Sequence, residues 1–472
     1  MVLTVGRATP VSLPGQSVTL PARASAPLFV DVEGRGRCDL FVIDQAEKTL
    51  WRFHQGPNGF TNAPDQVIPL PPQTAWVALG DVDASPGLEL LMSTATGLVY
   101  SRQQDGRFES ERHLLILTNQ VFTNDDFPVL TSLATNPVGT GVLIPVISAG
   151  QTVLYHRNPA YEWNPEPARS LNAEPADWSV VSGAWQMGTA PAHRLRMDQS
   201  FLVNPDPDRD PEPENEGIRT LLTDLKRNAA AWPPHAYPVD LNGDGREDLV
   251  VWQVSRKLDC QTDIYVFPRG PNQRLPERPA QILHERGFSI PLGSPGILRE
   301  FRDSPQFLPV HDLKGDGRCE LVLLEFKTRI TSWNGLVETM LSHGLDFSLN
   351  IWPCQQGGFA DSSKASVPVR ILLPTEISTE FPIFIDGDFN GDGRPDLVAR
   401  RSDRQWIVYF STTDGRWFDP QPALTFEVPG HGHLAIQDLT GNGRSAVIYQ
   451  DLDQPGLTIF WPPTPPTKDK HS

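Results

Sequence analysis

The chain has little of what marks several protein classes. Its 472 residues include only four cysteines, with no CxxC pair among them, which argues against a zinc ribbon or a dense disulfide framework. No run of 18 or more apolar residues occurs, so we expect no transmembrane segment. The N-terminus lacks a charged leader followed by a long apolar core, so no signal peptide is expected. The cellular compartment stays open.

Positive charge and catalytic motifs are also scarce. Lys and Arg number 40 against 57 Asp and Glu, which gives a formal net charge of −17. Because no run of Lys and Arg forms a basic patch, we expect no nucleic-acid partner. The sequence contains no G-x-S-x-G, no H-E-x-x-H and no P-loop, and its 11 histidines are scattered. These absences predict a non-catalytic protein.

What the sequence does have is one phrase that keeps returning. An apolar run is followed by Asp-x-Asx-Gly-Asp-Gly-x-x-Asp and then by a second apolar run. The first aspartates of six copies are Asp31, Asp81, Asp240, Asp312, Asp388 and Asp438. Neighbouring copies lie 50 residues apart at both ends of the chain. The longer gap between Asp81 and Asp240 has room for two eroded copies, at Val129–Ser148 and Trp178–Met197, which makes eight repeats.

Each repeat is typical of four short strands. In the second repeat they are WVALGD, LELLMS, GLVYSRQ and HLLIL, separated by turn residues. A repeat of about 50 residues with four strands predicts an all-β fold, a single β-propeller of four-stranded antiparallel blades. Eight blades are expected, with seven as the alternative. The last repeat lacks a fourth strand, and Ser17–Pro21 is predicted to complete it and so close the ring.

The predicted propeller spans residues 17–462 and leaves an N-terminal extension (1–16) and a Pro-rich C-terminal tail (463–472). Two segments interrupt the repeats. An acidic, Pro-rich excursion covers 204–217, and its composition is typical of a solvated segment. A long loop at 326–347 is predicted to contain a short amphipathic helix, which either covers a partner or plugs the ring.

The repeated loop is chemically suited to a cation. In DLNGDGRED, positions one, three, five and nine are Asp240, Asn242, Asp244 and Asp248. Glycine at position six permits the positive φ that folds the loop back, so four oxygen side chains are expected to converge. Such a set favours Ca²⁺, with Mg²⁺ as the runner-up, and the Arg246 carbonyl and water would complete the coordination. An EF-hand is not expected, because a strand follows and no Glu occupies position twelve.

The copies of the loop differ in how complete they are. A second predicted site consists of Asp388, Asn390, Asp392, Asp396 and the carbonyl of Arg394. A third candidate consists of Asp81, Asp83, Ser85 and Glu89, although Pro86 takes the place of the glycine. The loops at Asp31, Asp312 and Asp438 are predicted to be polar turns, and at Asp31 the Arg35 guanidinium is expected to replace the ion. For any single loop, an Asx-rich turn without metal is the alternative.

These phrases resemble the FG-GAP and VCBS repeats of integrin α-subunit propellers and many bacterial proteins. The resemblance covers about Ser17 to Trp461 and is most specific at Asp240 and Asp388. It implies a seven- or eight-bladed propeller whose Ca²⁺ ions support the fold. It also implies a ligand face on the opposite side, where loops 253–263 and 326–347 are long. Members are usually extracellular, but no signal peptide is visible here, so a cytoplasmic location stays open.

Three functions are compatible with this resemblance. A protein-recognition, adhesion or scaffold module is the first. A carbohydrate-binding, lectin-like propeller is the alternative, since some of the 12 Trp residues could stack on sugars. A polysaccharide lyase or hydrolase is the third, because a fold does not by itself exclude catalysis.

Overall fold

The structure is a computed structural model, and it describes about two thirds of the chain. The described residues are 10–25, 27–72, 74, 76–80, 82, 86–94, 97–110, 112–117, 129–132, 140–146, 151–156, 169–172, 193–196, 216–228, 234–246, 248–254, 261–270, 274–286, 289–293, 307–308, 310–326, 344–355, 357–363, 365–372, 383–385, 387–402, 404–430, 432–451 and 454–463.

The described elements are short β-strands and one α-helix. In the first half of the chain the strands are β1 (Val11–Ser12), β2 (Gly15–Thr19), β3 (Leu28–Val30), β4 (Asp39–Asp44), β5 (Thr49–Phe53), β6 (Gln55–Gly56), β7 (Gly59–Phe60), β8 (Gln66–Pro69), β9 (Trp76–Gly80), β10 (Glu89–Thr94), β11 (Gly97–Ser101), β12 (Gln103–Gln104), β13 (Arg107–Phe108), β14 (His113–Leu117), β15 (Val129–Ser132), β16 (Thr140–Val146), β17 (Gln151–His156), β18 (Arg169–Asn172) and β19 (His193–Arg196).

Helix α1 (Glu216–Arg227) then precedes the remaining strands. These are β20 (His235–Val239), β21 (Asp248–Val254), β22 (Gln261–Phe267), β23 (Gln281–Arg286), β24 (Ser289–Gly293), β25 (Phe307–Leu308), β26 (Val310–His311), β27 (Glu320–Phe326), β28 (Gly344–Trp352), β29 (Cys354–Gln355), β30 (Gly358–Phe359), β31 (Ala365–Leu372), β32 (Ile383–Ile385), β33 (Leu397–Arg400), β34 (Gln405–Tyr409), β35 (Leu424–Glu427), β36 (Gly432–Gln437), β37 (Ala446–Asp451) and β38 (Gly456–Phe460).

The strands form antiparallel sheets of the kind predicted from the repeats. Within the described residues, seven sheets have four or more strands, in the orders β3-β4-β5-β8, β14-β11-β10-β9-β19, β15-β16-β17-β18, β20-β21-β22-β23, β25-β24-β27-β28-β31 (with β26 also on β27), β1-β35-β34-β33-β32 and β2-β38-β37-β36. The four strands predicted for the second repeat are confirmed as β9, β10, β11 and β14. This all-β arrangement is consistent with a propeller-like fold, while the closed ring and its blade count stay predictions.

The eroded copies have different outcomes. Val129–Ser148 contains the first two strands of the sheet formed by β15 to β18. Most of Trp178–Met197 lies outside the described residues. Its one described strand, β19, pairs with β9 and so extends the sheet of the second repeat. In the part of the chain that the structure describes, the fourth predicted repeat therefore does not form a sheet of its own.

The chain divides into two compact bodies. The smaller comprises Val18–Pro205 with Leu439–Gly441, and the larger comprises Met1–Ser17, Asp206–Asp438 and Asn442–Ser472. The core of the smaller body lies between the sheets of the first two repeats, where Phe41, Leu50 and Leu90 are fully buried. The larger body has an equivalent core between successive sheets, for example where Val250 of β21 meets Leu321 of β27.

Helix α1 was not predicted. It begins at Glu216, within the predicted excursion 204–217, of which residues 204–215 lie outside the described part. Ile218 and Leu225 pack with Leu249, Val251 and other apolar residues of the β20–β23 sheet. The helix thus covers the face of this sheet that turns away from β27. No helix in the described part of the chain is long and apolar enough to cross a membrane.

The N-terminal segment joins two sheets. Strand β2 is the outer neighbour of β38, as predicted for Ser17–Pro21, although it begins two residues earlier. Strand β1, which the sequence did not predict, pairs in parallel with β35. Between them, the Leu13 N–H donates to the Thr425 carbonyl at 2.8 Å. The Leu13 side chain packs in a core with Phe426 and Phe460. Part of the predicted extension 1–16 therefore belongs to the sheets.

This packing predicts a difference between two neighbouring substitutions. Leu13→Ala should lower the free energy of unfolding by about 2–3 kcal/mol, because a side chain that is 4% exposed leaves a cavity behind. Val11→Ala is the matched control: its side chain is 55% exposed, so it should change stability by less than about 0.5 kcal/mol. Urea denaturation measures both. Equal effects would show that the segment is not part of the core.

Candidate metal-binding loops

Each acidic loop joins the first strand of its sheet to the second. The Asp240 loop (Asp240–Asp248) connects β20 to β21, and the Asp388 loop (Asp388–Asp396) connects β32 to β33. Position two of each loop is apolar and buried, as Leu241 or Phe389. This side chain anchors the loop in the core while the polar positions around it stay near the surface.

The first aspartate organises the turn. The Asp388 Oδ1 accepts the N–H of Gly391 at 2.6 Å, and its Oδ2 accepts that of Gly393 at 2.6 Å. Asp240 makes the equivalent contacts with Gly243 and Gly245, each at 2.8 Å. The glycines have φ between 75° and 80°. Residues with a side chain rarely adopt this positive φ. Glycine at positions four and six therefore lets the backbone wrap around the carboxylate.

The ninth position is a buried carboxylate that ties the loop to its sheet. The Asp248 Oδ2 accepts the Leu241 N–H at 3.1 Å, and its Oδ1 accepts the N–H of Arg269, beyond β22, at 2.6 Å. Asp396 makes the same pair of bonds to Phe389 at 2.9 Å and to Ser411 at 2.8 Å. Each carboxylate therefore fixes the start of the loop and the end of the third strand at once.

Burial makes these two carboxylates costly to ionise. The pKa of Asp396 is raised to about 7, mainly by desolvation, with the charges of Asp388 and Asp392 adding to the rise and two backbone hydrogen bonds opposing it. The pKa of Asp248 is raised for the same main reason, with Asp244 and Asp240 adding to the effect. The negative charges of each loop thus destabilise one another when no cation is bound.

The middle positions of the two loops are more exposed. The Asn242 Oδ1 accepts the Asp244 N–H at 2.9 Å, and the guanidinium of Arg246 pairs with the Asp244 carboxylate. In the Asp388 loop, Arg394 pairs with Asp392 at 2.5 Å. Exposed ion pairs stabilise by about 0–1 kcal/mol, so a divalent cation could displace them at little cost. All the side chains predicted to bind the ion would do so through oxygen atoms, which are hard ligands that fit Ca²⁺.

The acids of the Asp31 loop (Asp31–Asp39) already pair with positively charged side chains. Among the described residues, Glu33, Asp39 and His54 form a group whose ligand atoms all lie within 4.8 Å of one another. Two guanidinium groups occupy this cluster. Arg52 is buried and pairs with Asp39 at 2.5 Å and with Glu33 at 2.8 Å. Arg35 pairs with Glu33 at 2.7 Å and with Asp39 at 3.0 Å, as expected for a guanidinium in the place of an ion.

An ammonium group takes this role in the Asp312 loop (Asp312–Glu320). The Lys314 Nζ lies 2.5 Å from the Glu320 carboxylate and 5.2 Å from the centre of the Trp417 ring. Burial raises the pKa of Glu320, while Lys314 opposes the shift. Glu320 still accepts the Leu313 N–H at 3.0 Å, as Asp248 and Asp396 accept the corresponding N–H groups in their loops. The loop therefore keeps the structural role of its acid and supplies its own positive charge.

The third predicted site is only partly described. Asp81, Asp83 and Ser85 lie outside the described residues, whereas Glu89 is buried and accepts the Val82 N–H at 2.8 Å. In the last copy, Asp438 still accepts the Gly443 N–H at 2.7 Å, but Ala446 stands at the ninth position.

Successive loops are linked by a backbone hydrogen bond and a close backbone contact, which the sequence alone did not indicate. The N–H of Cys319, at position eight, donates to the Leu241 carbonyl of the preceding Asp240 loop at 3.0 Å. A Cβ added to Gly243 would lie 2.6 Å from the Gly317 carbonyl, so the loops approach too closely for a side chain. Glycine at position four is thus required by this contact as well as by its φ.

A second link between sheets uses glutamine. The Gln281 amide of β23 both donates to and accepts from the backbone of Phe359, at 2.7 Å each. Gln66 of β8 grips Phe108 in the same way, at 2.7 and 3.0 Å. Both phenylalanines end a short hairpin with a Gly-x-Phe or Gly-Phe sequence, which was the signal available for this link. Their glutamine partners could not be identified from it, because Gln281 lies 78 residues from Phe359 and Gln66 lies 42 residues from Phe108.

Comparison with known proteins supports the repeat. Residues 388–449, which contain the Asp388 and Asp438 loops, match the FG-GAP-like repeat family. No match is found among curated proteins. Among solved structures, the chain is similar to a lectin of Agrocybe aegerita, described for its specific recognition of non-reducing terminal N-acetylglucosamine. The identity is 13% and the TM-score 0.36, over 92% of this chain and 87% of the lectin. The chain therefore carries an FG-GAP-like repeat.

Proposed function

We propose that this protein is a non-catalytic β-propeller that recognises a partner and is stabilised by Ca²⁺ in the Asp240 and Asp388 loops, as an adhesion, recognition or scaffold module. The observation that carries the calcium proposal is the cost of leaving the Asp388 loop without a cation. Its buried Asp396 has a pKa raised to about 7 by desolvation and by neighbouring carboxylates. A bound cation turns this repulsion into attraction.

The ligands would come from the same positions in both loops. Asp240, Asn242, Asp244 and Asp248 would hold one ion, with the carbonyl of Arg246. Asp388, Asn390, Asp392 and Asp396 would hold the other, with the carbonyl of Arg394. Ca²⁺ suits this set better than Mg²⁺, because it accepts six to eight oxygen ligands in flexible geometry. The ion supplies positive charge that fixes a turn between two strands. No reaction is attributed to it.

The partner is proposed to bind at the opposite ends of the strands. There, next to residues 255–260, His284 and Gln261 both contact Asp263, at 2.7 and 2.6 Å. A protein surface is the first candidate partner. A glycan is the second, favoured by this concentration of carboxylate, amide and imidazole groups, which can bind sugar hydroxyls.

The calcium proposal predicts a melting response that depends on particular loops. At free Ca²⁺ near 100 times the dissociation constant, each occupied site should stabilise the protein by about 2.7 kcal/mol. Calcium should therefore raise the melting temperature, and Asp244→Ala or Asp392→Ala should each remove part of the rise. Asp316→Ala is the matched control, because it changes position five of the loop that Lys314 neutralises. Differential scanning calorimetry with and without a chelator measures the response, and identical curves would contradict the proposal.

A second prediction concerns pH. Because the folded-state pKa of Asp396 lies above its usual value of 3.8, folding takes up a proton between about pH 4 and 7. In calcium-free buffer this group should stabilise the protein most at low pH, and that stability should be lost as the pH rises through about 7. The loss is at most about 4 kcal/mol.

Urea denaturation from pH 4.5 to 8 tests this, with Asp396→Asn as the reference. The variant will be less stable overall, because an amide cannot accept both N–H groups, so the readout is the slope against pH. The wild-type free energy of unfolding should fall relative to that of the variant as the pH rises, and Ca²⁺ should reduce that fall. Parallel profiles would count against a raised pKa at Asp396.

The proposed partner site, at the strand ends opposite the acidic loops, leads to a further prediction. Replacing 329–343 by a short turn should abolish binding to a protein partner or to glycans on an array, while the melting temperature stays within a few degrees. Glu47→Ala, in the tight turn that joins β4 to β5, is the control and should leave binding intact. Binding that persists after the replacement would place the partner site elsewhere on the chain.

A further inference from the structure

Two cysteines lie opposite each other at one end of the β27–β28 hairpin. In this antiparallel ladder Leu321 pairs with Trp352. Continuing the register by two residues on each strand places Cys319 opposite Cys354. Residues opposite one another in an antiparallel pair have Cα atoms about 4.5–5.5 Å apart. This lies within the range of about 4.4–6.8 Å that a disulfide requires.

The two thiols also point to the same side of the hairpin. The Cys319 Sγ donates to the Asp240 carbonyl at 3.5 Å, and the Cys354 Sγ donates to the Leu241 carbonyl at 3.2 Å. These carbonyls belong to consecutive residues, so both sulfur atoms face one short stretch of the Asp240 loop. Both cysteines are free and partly buried. Burial and the neighbouring carboxylates raise the pKa of the Cys319 thiol to about 12, so its reaction with a disulfide reagent is expected to be slow at neutral pH and faster at alkaline pH. Opposite register and a shared side are the two conditions for a cross-strand bond.

We propose that Cys319 and Cys354 are a redox-sensitive pair that forms a reversible disulfide with a low-molecular-weight disulfide as the oxidant. One thiolate attacks the reagent and releases one reagent thiol. The second cysteine then displaces the other reagent thiol and closes the Cys319–Cys354 bond. The pair loses two electrons and two protons, and the reagent takes them up as two thiols.

The bond would fasten the end of the hairpin that adjoins the Asp240 loop. The opposite end of the same hairpin leads into residues 327–343, the segment proposed for partner binding. Oxidation would also remove both S–H donors from the Asp240 and Leu241 carbonyls. The bond itself depends on neither calcium nor a partner, so it can be tested separately from the proposed function.

The first repeat provides a natural control. Cys38 occupies the same position of the Asp31 loop that Cys319 occupies in the Asp312 loop. In its sheet Leu40 pairs with Phe53, so the same continuation of the register places Gln55 opposite Cys38. Cys38 therefore has the position but not the partner, and it should not form the equivalent bond.

The experiment treats the full-length protein with oxidised glutathione in the presence of a calcium chelator. Digestion without reduction, followed by mass spectrometry, should yield a peptide that joins Cys319 to Cys354 and that dithiothreitol separates. The oxidised protein should melt several degrees higher, because the cross-link restricts the unfolded chain. Cys319→Ser and Cys354→Ser should each abolish the linked peptide and the rise, while Cys38→Ser should preserve both.

Several results would overturn the proposal. One is the recovery of Cys319 and Cys354 as free thiols or as separate glutathione adducts. Another is a disulfide that joins either cysteine to Cys38 or Cys260. A linked peptide without any rise in melting temperature would show that the bond does not fasten the hairpin.

Discussion

A buried carboxylate at the ninth position of the acidic loop is the interaction on which most of the sheets depend, and the Asp438 loop, with Ala446 at that position, is the exception. Asp248 and Asp396 accept one N–H from the start of their loop and another from the residue beyond the third strand. Glu320 and Glu89 keep the first of these bonds. One side chain therefore connects three strands. Because the acid is enclosed by the core, its charge has to be balanced nearby or its proton retained.

The chain balances this charge in different ways in different repeats. In the first repeat, buried Arg52 and partly exposed Arg35 surround Asp39 and Glu33. In the Asp312 loop, Lys314 reaches Glu320. Among the described residues of the Asp240 and Asp388 loops, the positively charged group is an arginine on an exposed carboxylate, and the buried acids of both loops have raised pKa values. A Ca²⁺ ion in these two loops would do for them what guanidinium and ammonium groups do elsewhere in the chain.

Local patterns were enough to predict the repeated part of the fold. Turn glycines and alternating apolar runs located the strands of the second repeat, and the loop spacing located the acids. The prediction failed where the structure depends on distant partners. Helix α1 follows a Pro-rich segment, and its apolar face is explained only by the β20–β23 sheet it covers. The bond between Gln281 and the Phe359 backbone joins residues 78 positions apart. The double role of the ninth acid was also hidden, because the pattern shows the carboxylate but not the N–H groups it accepts.

Direct measurement of bound calcium tests the central claim. The purified protein would be dialysed against a small excess of Ca²⁺, and the bound calcium per chain would be measured by inductively coupled plasma mass spectrometry. The account predicts at least two ions per chain in the wild type, with one lost in Asp244→Ala and another lost in Asp392→Ala. A wild-type protein without bound calcium, or a count that neither substitution changes, would contradict it.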